Sequence, residues 1–506
     1  MKLGIIGGGG AAVALLAALT RDRLPDLDVT VFEPAKNVGP GRAYLPDSDV
    51  ALLNVSAERM SVLPDVPGHF LRWVQERGGL QGRPVSPTAF LPRRLFGEYL
   101  ADVATGISDQ LAGRGRRVRT VGSSVMRLRE GPTGFHALTE DGRRFGDLDR
   151  VVLCVGTGGP VDVYRLARSP GYVNDPYPLN AQLAAVPPKA HVLVLGTGLT
   201  AVDTVLFLLE NGHRGRVTMA SRNGLLPTVR TVATAPELRH LSRTAVLVAL
   251  TADPVMTGER LLALLDRELQ EAGTSLDRAC AEAAPGESAA RRLRRQLGQA
   301  RDGGALWQPV IIEAMHEAVE LIWHAMPDAE RRRFLTRWHR KFITLLSPMP
   351  QESAIRLQAA AEAGRLRVVH GVRGIRPVER LIERPAEKPG ERPGEMPRPA
   401  FLASTAVGEI EADIVVNTTR PAAAAVPDTA TALIEDLVAA GVARRHALGG
   451  LDVARHTNRI RAADGSENRN LFALGQLTAG THYYTSSMLI IGRQARVVAD
   501  QLLRHC

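Results

Sequence analysis

Two glycine clusters hold the residues whose spacing could grip a phosphate. Gly7-x-Gly9-x-x-Ala12 lies in MKLGIIGGGGAAVALLAAL, and Gly196-x-Gly198-x-x-Ala201 lies in HVLVLGTGLTAVDTVLFLL from residue 191. Each follows a short apolar run and opens a helical stretch. The first glycine permits the tight turn, the second lets the backbone approach a pyrophosphate, and a small third residue lets helix and strand pack closely. The helix N-terminus adds unpaired N–H groups and the positive end of a dipole. Glu33 ends the next apolar run after the first cluster, where a carboxylate would accept hydrogen bonds from ribose hydroxyls. Arg222 holds the matching place after the second cluster, preceded by Ser221. A carboxylate there would repel a 2′-phosphate and Ser-Arg would bind one, so the second site is expected to take NADPH rather than NADH. Arg42, after Gly39-Pro40-Gly41, is either a pyrophosphate contact or a solvated cation.

Two such grips in one chain imply two dinucleotides: FAD held permanently at the first, NADPH visiting the second, with hydride passing from nicotinamide to flavin. Other chemistry is poorly served. The three cysteines, Cys154, Cys280 and Cys506, form no CxxC motif. No His/Asp/Glu cluster has metal-ligand spacing, and no Gly-x-Ser-x-Gly elbow occurs. The net charge of +10 comes from arginines spread along the chain, and aromatic residues are only 4%, which disfavours nucleic acid as a partner. No apolar run reaches membrane-spanning length. The stretch 11–19 lacks a basic leader and a cleavage site. A reduced, cytoplasmic setting is expected.

The elements that must position these residues follow from the pattern. Lys2–Ile6 and Val29–Glu33 read as strands around the first helix, with a loop-rich stretch from Pro34 to Pro92. DRVVLCVGTGGP (149–160) is a buried strand ending in a glycine turn, and GRVTMASR (215–222) is the second strand of the second unit. From about Leu238 to Leu346 apolar residues fall at helical spacing, indicating a helical insertion or lid. There Trp323, Trp338, His339 and Phe342 are expected to pack, and RRRFLTRWHRK reads as a solvated basic helix. RPAEKPGERPGEMPRPA (384–400) reads as a disordered loop. EADIVVNTTRP (411–421) and NLFALGQ (470–476) are strands, and a helix over 486–505 closes the chain. The expected fold is α/β, with two Rossmann-like dinucleotide-binding domains. A discontinuous FAD domain comprises 1–160 and 405–506. An inserted NADP(H) domain comprises 161–237 and 347–404, with the helical insertion at 238–346.

The sequence resembles two-dinucleotide-binding flavoproteins, specifically the FAD-NAD(P)-binding family related to class B flavin monooxygenases. The segments that carry this are 41–73, PRRLFGEYL (92–100), GYVNDPYP (171–178), VLGTGLTAVD (194–203), SRNGLLP (221–227) and LFALGQLTAGTHYYTSS (471–487). Three positions depart from the family pattern. Arg420 stands where glycine is common. Gln476 stands where many FAD enzymes place an aspartate near the ribityl–phosphate region. GYVNDPYP lacks the fingerprint histidine of ketone-oxygenating enzymes. The resemblance implies that Asn54, Ser56 and Met60 lie in the loop near the isoalloxazine. It also implies that the last helix aims its N-terminus at the flavin pyrimidine, with Gly475, Gln476, Thr485 and Ser486 around the cofactor and Ser487 on the catalytic side. A positive dipole end there stabilises negative charge on reduced flavin. Asn54 has two readings, a partner for flavin or an amide capping its own backbone. His482, Tyr483 and Tyr484 either line the substrate side or pack an interface.

Some relatives in that family hydroxylate amino-acid amines, including the aspartate amine. The expected function is therefore an FAD-dependent, NADPH-consuming monooxygenase that N-hydroxylates a small amino acid or related metabolite through a C4a-(hydro)peroxyflavin. Its partners would be molecular oxygen and a small-molecule substrate, with acidic amino acids among the candidates. The alternatives are a reductase of a quinone or imine, and a flavin-binding partner protein without turnover.

Overall fold

The computed structural model describes residues 1–20, 26–284, 286–384, 394–419 and 426–504. A six-stranded sheet runs in the order Arg459–Arg461, Glu467–Ala473, Arg150–Leu153, Lys2–Ile6, Asp28–Phe32, Arg117–Val121. All its neighbours are parallel except the first pair. A five-stranded, wholly parallel sheet runs in the order Leu366–His370, Val217–Ser221, Val192–Leu195, Ile414–Asn417, Tyr172–Val173. In each sheet the strand before a glycine cluster is central, at the point where strand order reverses. In open α/β sheets, that is where the crevice for a ligand forms.

Burial on both faces explains the near-continuous apolar runs of these strands. The helix Gly10–Leu19 is apolar on all sides because it is enclosed by helices Arg93–Ala112 and Met488–Leu503. Such an all-round pattern marks a core helix rather than an amphipathic surface one. Two antiparallel sheets of three strands each were not foreseen: Val125–Gly131 with Gly134–Thr139 and Arg144–Leu148, and Gly374–Arg384 with Gly394–Thr405 and Gly408–Ala412.

Several expectations need correction. Ile414–Asn417 pairs with Val192–Leu195, so the chain does not return to the first sheet at 405. It first completes the antiparallel sheet and the second parallel sheet. The stretch 384–400 is not wholly loop: Arg384 and Gly394 end paired strands, while 385–393 and Arg420 lie outside the described residues. Within 34–92 there is a helix, His69–Glu76, and a 3-10 turn, Ala57–Arg59. Within 238–346 the helix Ala289–Arg301 packs against Gln351–Glu362, and its Leu293, Leu297 and Ala300 share the core of the second parallel sheet.

The rest of that insertion gathers around the helix Trp307–Ala325, whose buried face includes Trp307, Val310, Ile311, Ala318 and Trp323. At its start, Gln308 Oε1 accepts from Thr231 N at 3.0 Å and Nε2 donates to Val229 O at 2.9 Å. Near its end, Trp323 Nε1 donates to Gly480 O at 3.1 Å, and His324 Nε2 lies 3.0 Å from Thr481 O. One helix thus spans from the loop after the second dinucleotide unit to the segment before the closing helix.

Candidate functional site

The two glycine turns are built alike, residue for residue. Gly7 N donates to Phe32 O and Gly196 N donates to Ala220 O, both at 2.8 Å. Gly7 has φ +96° and Gly196 φ +124°, backbone that a side chain rarely adopts. A Cβ at Gly7 would meet Cys154 O at 2.4 Å, and one at Gly196 would meet Thr418 Oγ1 at 2.5 Å. Each first glycine is therefore pressed on the end of the neighbouring strand. The second glycines differ. Gly9 and Gly198 have φ near −80° and begin their helices. A Cβ at Gly9 would meet only Gly41 Cα, at 3.5 Å, and one at Gly198 would meet nothing within 4 Å. Ala12 and Ala201 are fully buried between helix and strand. Both cradles are thus open where a pyrophosphate needs backbone N–H groups and tight where the turn needs glycine. FAD and a nicotinamide dinucleotide both fit this construction.

Glu33 closes the first turn: Oε2 accepts from Gly8 N at 2.6 Å and Oε1 from Ala35 N at 2.9 Å. Gly475 approaches the first turn of the helix Gly10–Leu19, where an added Cβ would lie 3.8 Å from Ala11 Cβ. Met488 meets the same helix from the other side, with Sδ 3.2 Å from an added Cβ at Gly10. The N-termini of the first and last helices therefore converge. Thr485 is buried and its Oγ1 donates to Gln476 Oε1 at 3.2 Å, while Ser486 is exposed. Ser487 holds the N-cap position, but its hydroxyl makes no capping bond, against the expectation from its residue type. Arg42 is not a lone surface cation. It ion-pairs with Asp175 and donates to Gly158 O, joining the two parallel-sheet units.

At the second cradle, Ser221 Oγ accepts from Thr197 Oγ1 at 3.1 Å and from Gly224 N at 2.9 Å. That hydroxyl shapes its own loop. Arg222 is exposed beyond it, with the Tyr164 phenol in its field and His370 at the adjacent strand end. Tyr164 and His370 carry no motif signal; strand register brings His370 here, and the loop before Tyr172–Val173 brings Tyr164.

The loop with Asn54 is anchored from three sides. Arg93 Nε donates to Leu52 O at 3.1 Å, Leu53 N donates to Leu91 O at 2.8 Å, and Arg230 Nη2 donates to Asn54 O at 2.5 Å. Arg93 is held in turn by Asp203 at 2.9 Å and Tyr177 Oη at 3.0 Å. Ser56 holds the N-cap position of the 3-10 turn without a side-chain capping bond, and Met60 is buried in the first core rather than facing a ligand. Opposite this loop, Tyr483 has φ +60° and ψ −65°, and Tyr484 N donates to His482 O at 2.7 Å. This tight γ-turn costs about 1–3 kcal/mol. Tyr483 stacks on Trp323 at 4.6 Å and its hydroxyl lies 3.0 Å from His339 Nδ1, which together offset about 0.5–1.5 kcal/mol or more. Strain of this kind gathers at functional sites. His482 is buried, with Nε2 3.2 Å from Asn458 Oδ1, and burial beside His324 lowers its pKa to about 3. Of the aromatics expected to pack, Trp338 does not: it is 51% exposed. The basic helix breaks beside it, into Asp328–Arg337 and His339–Leu346. Among the described residues no cluster could hold a metal ion and no helix is long and apolar enough to cross a membrane. Burial pushes the Cys154 thiol well above its usual range, which disfavours the reactive thiolate.

The fold and the paired cradles are those of a protein with two dinucleotide-binding units. Residues 4–158 match the family model described as FAD-NAD(P)-binding. The chain is 24% identical over 420 residues to the uncharacterized protein YdhS of Escherichia coli (strain K12), covering 73% of this chain and 76% of that one. Solved structures share the whole fold. The cadaverine monooxygenase of desferrioxamine biosynthesis from Erwinia amylovora, bound to FAD, superposes with a TM-score of 0.58 at 13% identity, over 100% of this chain and 94% of that one. The reduced ornithine hydroxylase of Pseudomonas aeruginosa gives 0.56 at 15% identity, over 100% and 98%. The ornithine N-hydroxylase of Kutzneria sp. 744 gives 0.53 at 17% identity, over 99% and 98%.

Proposed function

We propose that the protein is an FAD-dependent, NADPH-consuming monooxygenase that hydroxylates the amine of a small amino acid or related metabolite. The observation that carries the reading is the convergence of two helix N-termini, at Gly10 and Met488, beside the Gly7–Gly9 turn, with a second open cradle at Gly198. The whole-length likeness to amine hydroxylases of the same fold supports it. Bound FAD, reduced by NADPH, would supply the activation of molecular oxygen and its transfer to nitrogen.

The chain's own residues bind, orient and exclude water. Gly7, Gly9 and Ala12 form the FAD cradle and Glu33 meets its ribose. Gly475, Gln476, Thr485 and Ser486 border the flavin, where the dipole of the helix Met488–Leu503 favours negative charge. Asn54 and Ser487 face the reacting side from opposite walls. Gly196, Gly198 and Ala201 hold NADPH, and Arg222, beyond the loop that Ser221 shapes, meets its 2′-phosphate. Arg42, through Asp175, fixes one unit against the other. The helix Trp307–Ala325 closes the site from the side of the insertion and keeps the amine in a dry pocket. Desolvation favours the neutral amine that oxygen transfer requires.

The test is a balance of products. Purified protein with NADPH, oxygen and a panel of amino acids should form hydroxylamine in step with NADPH oxidised. NADPH oxidation that a quinone accelerates, with no hydroxylamine from any amine, would replace this reading with a reductase.

A further inference from the structure

Arg230 differs from the other cations around the lid helix. Arg59 pairs with Glu313 at 2.5 Å, and Arg493 lies 3.7 Å from Glu317 and donates to His316 O at 2.6 Å. Arg230 forms no ion pair among the described residues. Its Nη2 donates to Asn54 O, its Nε is enclosed with no acceptor, and the titratable groups in its field are the Arg59 guanidinium and the neutral Tyr484 phenol. Burial and Arg59 lower its pKa to about 10, so it remains a cation at neutral pH. Removing a charge from water without a counter-charge is costly, and such groups are normally paired.

The neighbours show what is missing. His316 lies one turn along the lid helix from Glu313, with its ring 6.4 Å from that of Tyr484 and its Nδ1 enclosed without a partner. Burial, with Arg59, Arg493 and Arg230 nearby, lowers its pKa to about 4, so it is neutral and adds no charge. On this face of the lid Glu313 serves Arg59 and Glu317 serves Arg493, while Glu320 accepts from Gln494 Nε2 at 3.1 Å. Arg230, on the wall that carries Asn54, has no carboxylate within ion-pair reach among the described residues. The two dinucleotides have their own phosphate cradles at Gly9 and Gly198. The anion absent from Arg230 is therefore neither cofactor's pyrophosphate. A guanidinium presents a planar fork that matches a carboxylate. Arg230 is half-buried as a residue.

We propose that Arg230 anchors the substrate through a carboxylate, so that the protein acts on an amine that carries an acid group, with Tyr484 and His316 lining the same pocket. This rests on the monooxygenase reading for the fate of the amine, but not for the binding itself.

The test measures binding without turnover. Flavin-loaded protein, with no NADPH present, is titrated calorimetrically with L-aspartate, L-glutamate, succinate, the neutral succinamide and inorganic phosphate. At least one carboxylate should bind saturably and succinamide at least tenfold more weakly. Arg230→Met should weaken the carboxylate at least tenfold and Arg230→Lys by less, with Tm measured in parallel because Met also removes the bond to Asn54 O. If the Arg230→Met variant fails to fold, Arg230→Lys decides alone: affinity equal to wild type overturns the proposal. So does the absence of saturable carboxylate binding by the wild type. Phosphate binding that NADPH displaces also overturns it, assigning Arg230 to the dinucleotide. Failure of the monooxygenase reading would look different, with carboxylate bound at Arg230 and no hydroxylamine formed.

Discussion

Replacing Gly198 by alanine separates the work of the second cradle from the stability of its fold. Gly198 has φ −80° and ψ −171°, backbone that alanine adopts freely, and an added Cβ meets nothing within 4 Å. Alanine is a poorer N-cap than glycine, so the folded state should lose less than about 1 kcal/mol. The new methyl instead stands where a phosphate must approach the helix N–H groups. Losing one charge-assisted hydrogen bond costs about 1.5–3 kcal/mol, a weakening of roughly 10- to 150-fold. Gly196→Ala, two residues earlier, should behave oppositely. Its φ of +124° and the 2.5 Å approach to Thr418 Oγ1 put strain in the fold itself, worth about 2–4 kcal/mol. The assay is anaerobic stopped-flow reduction of the bound flavin over a range of NADPH concentrations, with Tm measured in parallel. Gly198→Ala should raise the apparent Kd for NADPH while keeping Tm and the limiting rate near wild type. An unchanged Kd, or a fall in Tm as large as that of Gly196→Ala, would refute the reasoning.

Three further outcomes follow from the geometry. Arg93→Met leaves Asp203 buried without its cation, and should cost about 3–5 kcal/mol in denaturant unfolding, whereas a surface arginine such as Arg143 should cost less than about 1 kcal/mol. His316, His324 and His482 have folded pKa values lowered to about 4, 4 and 3 by burial, below the ordinary 6.5 of the unfolded chain. Between those values the unfolded state binds more protons, so stability is full above about pH 6.5 and falls as pH drops, by up to about 1.4 kcal/mol per histidine per pH unit. Tm should decline from pH 7 to 5, and His482→Gln should flatten the slope; a Tm independent of pH over that range contradicts the burial of these rings. Arg222→Asp should lower the preference for NADPH over NADH in kcat/KM by roughly tenfold or more, and an unchanged ratio would remove Arg222 from the 2′-phosphate site.

The parts legible in the sequence were those in which a few consecutive residues fix both shape and role. Gly7, Gly9 and Ala12 sit on one turn, as do Gly196, Gly198 and Ala201, and their spacing alone implies strand, turn and helix. The strand Ile414–Asn417 was legible as a strand, but not its sheet: pairing with Val192–Leu195, more than two hundred residues away, leaves no local trace. The strands Gly374–Arg384 and Gly394–Thr405 were hidden by proline and glycine, which an edge or irregular strand tolerates better than a central one. Arg230 looked like any other arginine in an arginine-rich chain. Its meaning comes from the carboxylate it lacks, which only the folded neighbourhood of Asn54, Arg59 and Tyr484 discloses. Likewise Tyr483 gave no sign of its turn, because a tyrosine's type does not favour positive φ, and its stack on Trp323 is a contact between residues far apart in sequence.

The most direct measurement is the spectrum of the purified protein before and after NADPH is added without oxygen. Bound FAD whose visible absorbance is bleached by NADPH is the expected result, since one cradle is to hold the flavin and the other to deliver hydride to it. A protein that neither carries nor takes up FAD, or whose flavin stays oxidised under excess NADPH and NADH alike, would contradict it.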